Sequence, residues 1–301
     1  MCGWKIISQL TPPLSNIIYI FAIIYQSKGS EVMEYWQHIY EHFNPVAFDL
    51  FGFKVHWYAL MYITALILGY ILAVKFGEKF GFSKKIIDEY VVWAEIGIIL
   101  GARIGFFVFY VPNNHYFLTH PWEMFNPFVD GKLVGIRGMS YHGAVIGFII
   151  ATLLYWKIKK IDLWKLMDVV ALSVPLAYTF GRIGNFLNQE LYGRATDVAW
   201  GIYVNGVLRH PSQLYEAFFE GVFSFAIIYW WYKKFYKCKG ELIGLYLLTY
   251  GAFRSLCEQW RAPDEQLGFL FDHVTMGQIL SSFLIIGGIL IFYFRRRACK
   301  N

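Results

Sequence analysis

Residues 166–194 read LMDVVALSVPLAYTFGRIGNFLNQELYGR. The run LMDVVALSVPLAYTF is mostly apolar, and the stretch after it, GRIGNFLNQELYGR, crowds Arg182, Asn185, Gln189 and Glu190 against its end. A helix facing lipid has no use for such groups, because each charge at bilayer depth costs about 2.5–3.5 kcal/mol even on the lenient insertion scale. The stretch therefore reads as a membrane span whose end turns polar side chains toward protein or a cavity.

The rest of the chain carries the same signature. Of its 301 residues 57% are hydrophobic and 16% charged, more apolar content than one soluble core buries. Crossing a hydrocarbon core takes about 20 helical residues. Seven stretches meet that length, near 55–74, 88–110, 140–156, 163–183, 217–232, 241–260 and 274–294. The fold class expected is an all-α membrane protein of seven transmembrane helices, with an extracytoplasmic loop excursion or small head.

Lysines and arginines set the orientation, because short loops rich in them stay cytoplasmic. Every second connection is basic: Lys75, Lys79, Lys84 and Lys85; Lys157, Lys159, Lys160 and Lys165; Lys233, Lys234, Lys237 and Lys239. The tail with Arg295, Arg296, Arg297 and Lys300 falls in the same phase. This places the N-terminus outside and the C-terminus in the cytoplasm. The net charge of +6 is then mostly topology, and no clustered basic surface argues for nucleic acid.

Domain boundaries follow. Residues 1–32 include NIIYIFAIIY, too short to span, and lack a signal-peptide cleavage site, so the expectation is either that they are non-native, with Met33 as the working initiator, or that they are a dispensable extension. Residues 33–54 form an interfacial amphipathic segment, 55–294 the seven-helix domain and 295–301 a basic cytoplasmic tail. The cysteines at 2, 238, 257 and 299 lie far apart and suggest neither a disulfide framework nor a zinc site; all four are expected to behave as small hydrophobes.

Ionisable side chains at bilayer depth are the best pointer to a site. The sixth span enters from the cytoplasm near Glu241, which puts Arg254 about 20 Å along the axis, with Glu258 and Arg261 following on one face. Arg103 lies similarly deep in the second span, Arg182 near the outer end of the fourth, and Glu216 at the outer start of the fifth. Tyr58 and His142 open the first and third spans. Such residues serve either a shared cavity or structural ion pairs between helices. Their common depth favours the cavity, whereas Glu95 and Asp168, nearer the cytoplasm, are assigned to structure. An arginine excess suits an anion, and the commonest anion at this depth is a lipid headgroup phosphate. His142, in MSYHGAVIG, reads equally as a general base or as a histidine hydrogen-bonded at the water interface.

GRIGNFLNQELYGR resembles the signature of the bacterial phosphatidylglycerol:prolipoprotein diacylglyceryl transferases. HWYALMY (56–62), GARIGF (101–106), MSYHGAVIG (139–147), RHPSQLYEA (209–217) and YGAFRSLCEQWRAPD (250–264) are similar to that family's blocks, in its order. The resemblance extends from about Asn44 to the end of the last span. It implies a multi-pass enzyme of the bacterial plasma membrane whose active site faces the periplasm or cell exterior. The implied reaction moves the sn-1,2-diacylglyceryl group of phosphatidylglycerol to the lipobox cysteine thiol of a preprolipoprotein, releasing glycerol 1-phosphate. Membrane lipids and the lipobox signal peptide are the implied partners.

By the same resemblance the substrate thiol is activated by His142 as candidate base or by an arginine-centred network, and Arg182 and Arg254 hold the departing glycerophosphate. Asn185 and Glu190 orient headgroup hydroxyls and steady the arginines. Tyr58, Arg103, Gly193, Glu216, Tyr250, Glu258 and Arg261 shape the pocket. No metal or cofactor is expected, since the headgroup is already a leaving group. HIYEH (38–42) matches an inverted zinc-protease pattern but has no obvious third ligand. A seven-helix receptor gives no reason for arginines to meet near one leaflet. An anion transporter uses buried arginines as well but predicts a repeated half, which is not evident. Residues 192–212 read as an exposed excursion or small hairpin, and 111–138 as a cover for the cavity or a plain interfacial loop anchored by Trp122 and Phe128.

Overall fold

A computed structural model describes residues 29–50, 52–112, 115–129, 131–133, 138–262 and 274–299. Most of the expected extension, with Cys2, lies outside the described residues, as do 113–114, 130 and 134–137 of the loop 111–138. The chain divides into two compact units, the first built from 1–65, 177–224 and 248–286, the second from 66–176, 225–247 and 287–301.

Five helices among the described residues are long and apolar enough to cross a membrane: α1 (Trp57–Lys79), α2 (Lys84–Tyr110), α3 (Tyr141–Lys159), α4 (Leu163–Leu187) and α8 (Met276–Ala298). The other two expected spans depart for local reasons. Residues 217–232 fall in a helical run interrupted by a π-helical segment, Ala217–Phe223, between the short α5 (Ser212–Glu216) and α6 (Ser224–Lys234). The sixth, α7 (Glu241–Cys257), has 17 residues, about 25 Å of helix, short of the hydrocarbon thickness.

In the second unit Phe76, Ile87, Tyr155, Leu166, Leu172, Ile228 and Leu242 form the core. There α2 and α3 meet through glycines. A Cβ on Gly105 would lie 2.6 Å from Gly143 Cα, and one on Gly101 would lie 2.7 Å from Gly147 Cα. Only glycine allows two backbones so near, the device by which membrane helices gain dispersion contact without a hydrophobic drive. Gly101→Val should destabilise the protein by about 3 kcal/mol, read as a lowered unfolding midpoint in detergent, because a backbone cannot yield as a flexible side chain would.

Asp168, assigned to structure from sequence, accepts from the main-chain N–H groups of Gly240, Leu242 and Ile243 and from the Tyr236 hydroxyl. It satisfies the orphan donors that open α7. The expectation for the cysteines needs correcting here: Cys238 and Cys299 form a disulfide across 61 residues. The turn before α7 and the end of α8 meet, as the Arg296–Glu241 ion pair at 3.1 Å also records, and linear spacing could not reveal that. Cys257 is free and buried.

The first unit carries the β structure relevant to the site. The amphipathic segment expected over 33–54 is helical only to His42; after Pro45 it becomes a hairpin of β1 (Val46–Leu50) and β2 (Phe53–His56). Gly52, at φ +88°, donates to Asp49 Oδ1 in its turn. A second, minimal hairpin pairs β3 (Phe128–Val129) with β4 (Lys132–Leu133) in the other unit. In the excursion 192–212, β5 (Ile202–Val204) and β6 (Val207–Arg209) pair through Asn205 and Gly206, both at positive φ, the Asn-Gly turn that matches strand twist. Of the two readings of 192–212, an exposed excursion or a small hairpin, the hairpin is the one observed, and it is not wholly exposed: Ile202 is fully buried and packs with Phe186, Val204, Trp36 and Tyr40 in a small core.

Candidate functional site

The end of α4 brings Arg182 and Asn185 together one turn apart. Arg182 Nη1 donates to Asn185 Oδ1 at 3.3 Å, and Asn185 Nδ2 donates to Glu190 Oε1 at 2.8 Å. Gln189 and Leu191 adopt positive φ, an uncommon state for such residues, and the turn they make folds Glu190 back over the helix end. Gln189 Nε2 donates to the carbonyls of Tyr40 and Phe43, which ties the N-terminal helical segment to this turn. On the opposite side Gly184 faces the start of α1, where a Cβ would lie 3.2 Å from the Tyr58 ring.

Glu216 is the hub. It is 1% exposed and lies 2.8 Å from Arg182 Nε and 3.5 Å from Arg254 Nη1. Neither carboxylate oxygen receives a hydrogen bond among the described residues, so charge alone pairs it. Glu220, one turn on, is fully buried, with Oε1 3.7 Å from Arg254 Nη1. On α7 Arg254 Nη2 donates at 2.5 Å to Glu258 Oε1, and the other oxygen of Glu258 accepts from the Thr275 hydroxyl at 2.8 Å. Gly277 leaves room for that carboxylate, since a Cβ there would lie 2.5 Å from Oε1.

The expected arginine excess is thereby corrected. Arg182 and Arg254 are matched by three buried carboxylates, Glu216, Glu220 and Glu258. Isolated cations at such burial would be far too costly, so the acids make the arginines tenable. A cluster of this kind holds guanidinium groups in fixed positions, and preorganised charge is most useful where charge appears during a reaction.

Gly193 and Arg261 pair through their main chains, while Gly193 N donates to His210 O. A Cβ on Gly193 would lie 2.5 Å from Trp260 O and 2.7 Å from His210 O, so glycine is required for three segments to cross. Burial lowers the pKa of His210 below its ordinary value, and its Nδ1 is 3.2 Å from the Tyr215 hydroxyl. Tyr250 sets its ring edge-on to Tyr178 at 5.8 Å.

Tyr58, Arg182, Asn185, Glu190, Gly193, Glu216, Tyr250, Arg254, Glu258 and Arg261 thus belong to the first unit. Arg103 and His142 belong to the second. Arg103 is 5% exposed; its Nε donates to Met124 O and its Nη1 to Gly138 O at 3.1 Å, so it fastens main chain around the end of α2. His142 stands in the first turn of α3, whose N-cap Ser140 accepts from Gly143 N, and its Nδ1 lies 3.4 Å from the Tyr110 hydroxyl. The histidines of HIYEH have separate ring partners, His38 stacking on Tyr203 and His42 on Tyr35.

Sequence reasoning missed two members of the cluster, Tyr178 and Glu220. Glu220 did carry a signal: it is an acid within AFFEGVF, one helical turn beyond Glu216. Tyr178 carried none, since a tyrosine near a span's end reads as an interfacial anchor.

Comparison with known proteins adds independent findings. The family model for prolipoprotein diacylglyceryl transferase matches residues 45–294. Three relatives are named phosphatidylglycerol–prolipoprotein diacylglyceryl transferase. That of Campylobacter jejuni strain 81-176 is 55% identical over 86% of this chain and 96% of its own length. That of Campylobacter lari is 54% identical over 89% of this chain and 100% of its own. For Campylobacter hominis the values are 56%, 85% and 92%.

Proposed function

Because the chain belongs to the prolipoprotein diacylglyceryl transferase family, we propose that its arginine–carboxylate cluster is where it transfers the diacylglyceryl group of phosphatidylglycerol to the lipobox cysteine thiol of a preprolipoprotein. The observation that carries the assignment is Glu216 held between Arg182 and Arg254, side chains from three separate helical segments.

The chemistry asks for such an arrangement. The substrate sulfur attacks the glycerol carbon that bears the phosphate, a C–S bond forms, and the C–O bond breaks toward phosphorus. Glycerol 1-phosphate departs with one more negative charge than the diester carried. Arg182 and Arg254, fixed by acids before the reaction, meet that charge without reorganising. Asn185 and Glu190 orient Arg182 and the headgroup hydroxyls; Tyr58, Gly193, Tyr250, Glu258 and Arg261 shape the pocket, and Arg103 braces the end of α2. His142 takes the thiol proton, which an unperturbed thiol with a pKa of about 8.5 surrenders only partly at neutral pH.

The chain is a multi-pass membrane protein. We assign it to the bacterial plasma membrane with seven crossings, the N-terminus outside and the site facing the periplasm or cell exterior; alternate basic connections support that orientation. The interrupted helix from α5 to α6 and the short α7 supply the remaining two crossings.

Purified protein given phosphatidylglycerol and a lipobox peptide should release glycerol 1-phosphate and raise the peptide mass by one diacylglyceryl group. Lipid movement across the bilayer without either product would overturn the assignment in favour of transport. His142→Ala should slow transfer most at neutral and mildly acidic pH, with the deficit shrinking as pH passes the thiol pKa and the substrate ionises unaided. The pH–rate profiles of both proteins check this; a deficit constant from pH 6 to 9 would remove the histidine from proton transfer.

A further inference from the structure

The Tyr178 hydroxyl lies inside the cluster. Tyr178 precedes Arg182 by one turn of α4, and its oxygen accepts from Arg182 Nε at 2.6 Å while donating to Glu220 Oε2 at 2.5 Å. Its ring also supports the guanidinium, whose Cζ lies 5.0 Å from the ring centroid. A phenol has one proton. Given to Glu220, that proton leaves the oxygen lone pairs for Arg182, so an ionised Glu220 sets the direction of the whole chain of bonds. The Arg182 N–H is aimed at the hydroxyl and not at Glu216, although the carboxylate is only 2.8 Å away.

We propose that Tyr178, anchored by Glu220, is a positioning residue for the transfer: it holds Arg182 by the Nε edge, so that the Nη edge is turned to the phosphate of the lipid. This role rests on the function assigned above and adds to it which protein groups aim the arginine. Without the hydroxyl, the partner left to Arg182 Nε among the described residues is Glu216, and the guanidinium, then held on its other edge by the 3.3 Å bond of Nη1 to Asn185, rotates away from the headgroup. Glu220 acts one step further out. As glutamine it can donate to the tyrosine oxygen and compete with Arg182 for the same lone pairs.

Tyr178→Phe retains the ring and its packing. A bond to a charged group of this kind is worth enough for about a tenfold effect. The expected result is a KM for phosphatidylglycerol raised about tenfold, a lowered kcat and an unchanged KM for the lipobox peptide. Glu220→Gln should shift the lipid KM in the same direction, and the double variant should be no worse than Tyr178→Phe alone, since both act through one bond. An unaltered lipid KM in Tyr178→Phe would overturn the role. So would a fall in kcat with both KM values unchanged, which is what a merely smaller folded fraction gives, or strictly multiplicative effects in the double variant. Should the unaltered protein itself fail to transfer, the function and this role fall together; a normal parent with an indifferent Tyr178→Phe sinks the role alone.

Discussion

Arg254→Ala should leave no measurable transfer and should also lower stability by about 3–5 kcal/mol, the range seen when one partner of a buried ionic group is removed. The physical reason lies in the three carboxylates around it. Arg254 faces Glu216, Glu220 and Glu258, whose side chains are at most 5% exposed, and Arg182 is ion-paired with only the first. Deleting the guanidinium leaves acids in a medium that cannot solvate them, so they must take up protons or draw in water. Arg254→Lys separates the two losses. A lysine returns the charge and much of the stability, but a point ammonium cannot reach acids on several sides as a planar fork does, and activity should remain low. Thermal unfolding in detergent and release of glycerol phosphate, measured on the same preparations, check both. Near-parental turnover in either variant would take Arg254 out of the site.

Arg182→Ala should be the cleaner catalytic lesion. Transfer should fall by about 10³-fold, in line with removal of a preorganised donor from developing charge, while the protein remains folded. Glu216 keeps Arg254 at 3.5 Å, and Glu220 keeps the Tyr178 hydroxyl, so no buried acid is stranded. The decisive measurement is single-turnover transfer at saturating lipid, compared with the unfolding midpoint. A loss of activity that merely follows a loss of folded protein would assign Arg182 to structure.

These two residues differ in a way that depth along a helix could not reveal. Counting residues from the ends of apolar runs placed Arg182, Glu216, Arg254 and Glu258 together, and charge at bilayer depth is rare enough to make that inference sound. The balance of charge was not legible. Glu220 was overlooked, and the π-helical turn that carries it has no compositional mark. The N-terminal segment misled for a related reason: its alternation of apolar and polar residues suits a helix as far as His42, and Pro45 with the Asp49–Gly52 turn then converts the same pattern to strands. The Cys238–Cys299 bridge depends on which helix ends meet, a tertiary fact. The Asn205–Gly206 turn, by contrast, was readable as a turn because its conformation demands those residue types.

The crossing at Gly193 bears on how such a protein can vary. Gly193, His210 and Trp260–Arg261 fasten both feet of the β5–β6 excursion to one another by main-chain bonds. Beyond the clasp β5 still bears on the site, because Ile202 and Val204 pack on Phe186, next to Asn185, whereas the Asn205–Gly206 tip is exposed, with nothing within 4 Å of a Cβ placed on Gly206. Extra chain grafted at Asn205–Gly206 would lengthen the protrusion without changing the separation of the reactive groups, which leaves this tip open to diversification while the clasp itself tolerates no side chain.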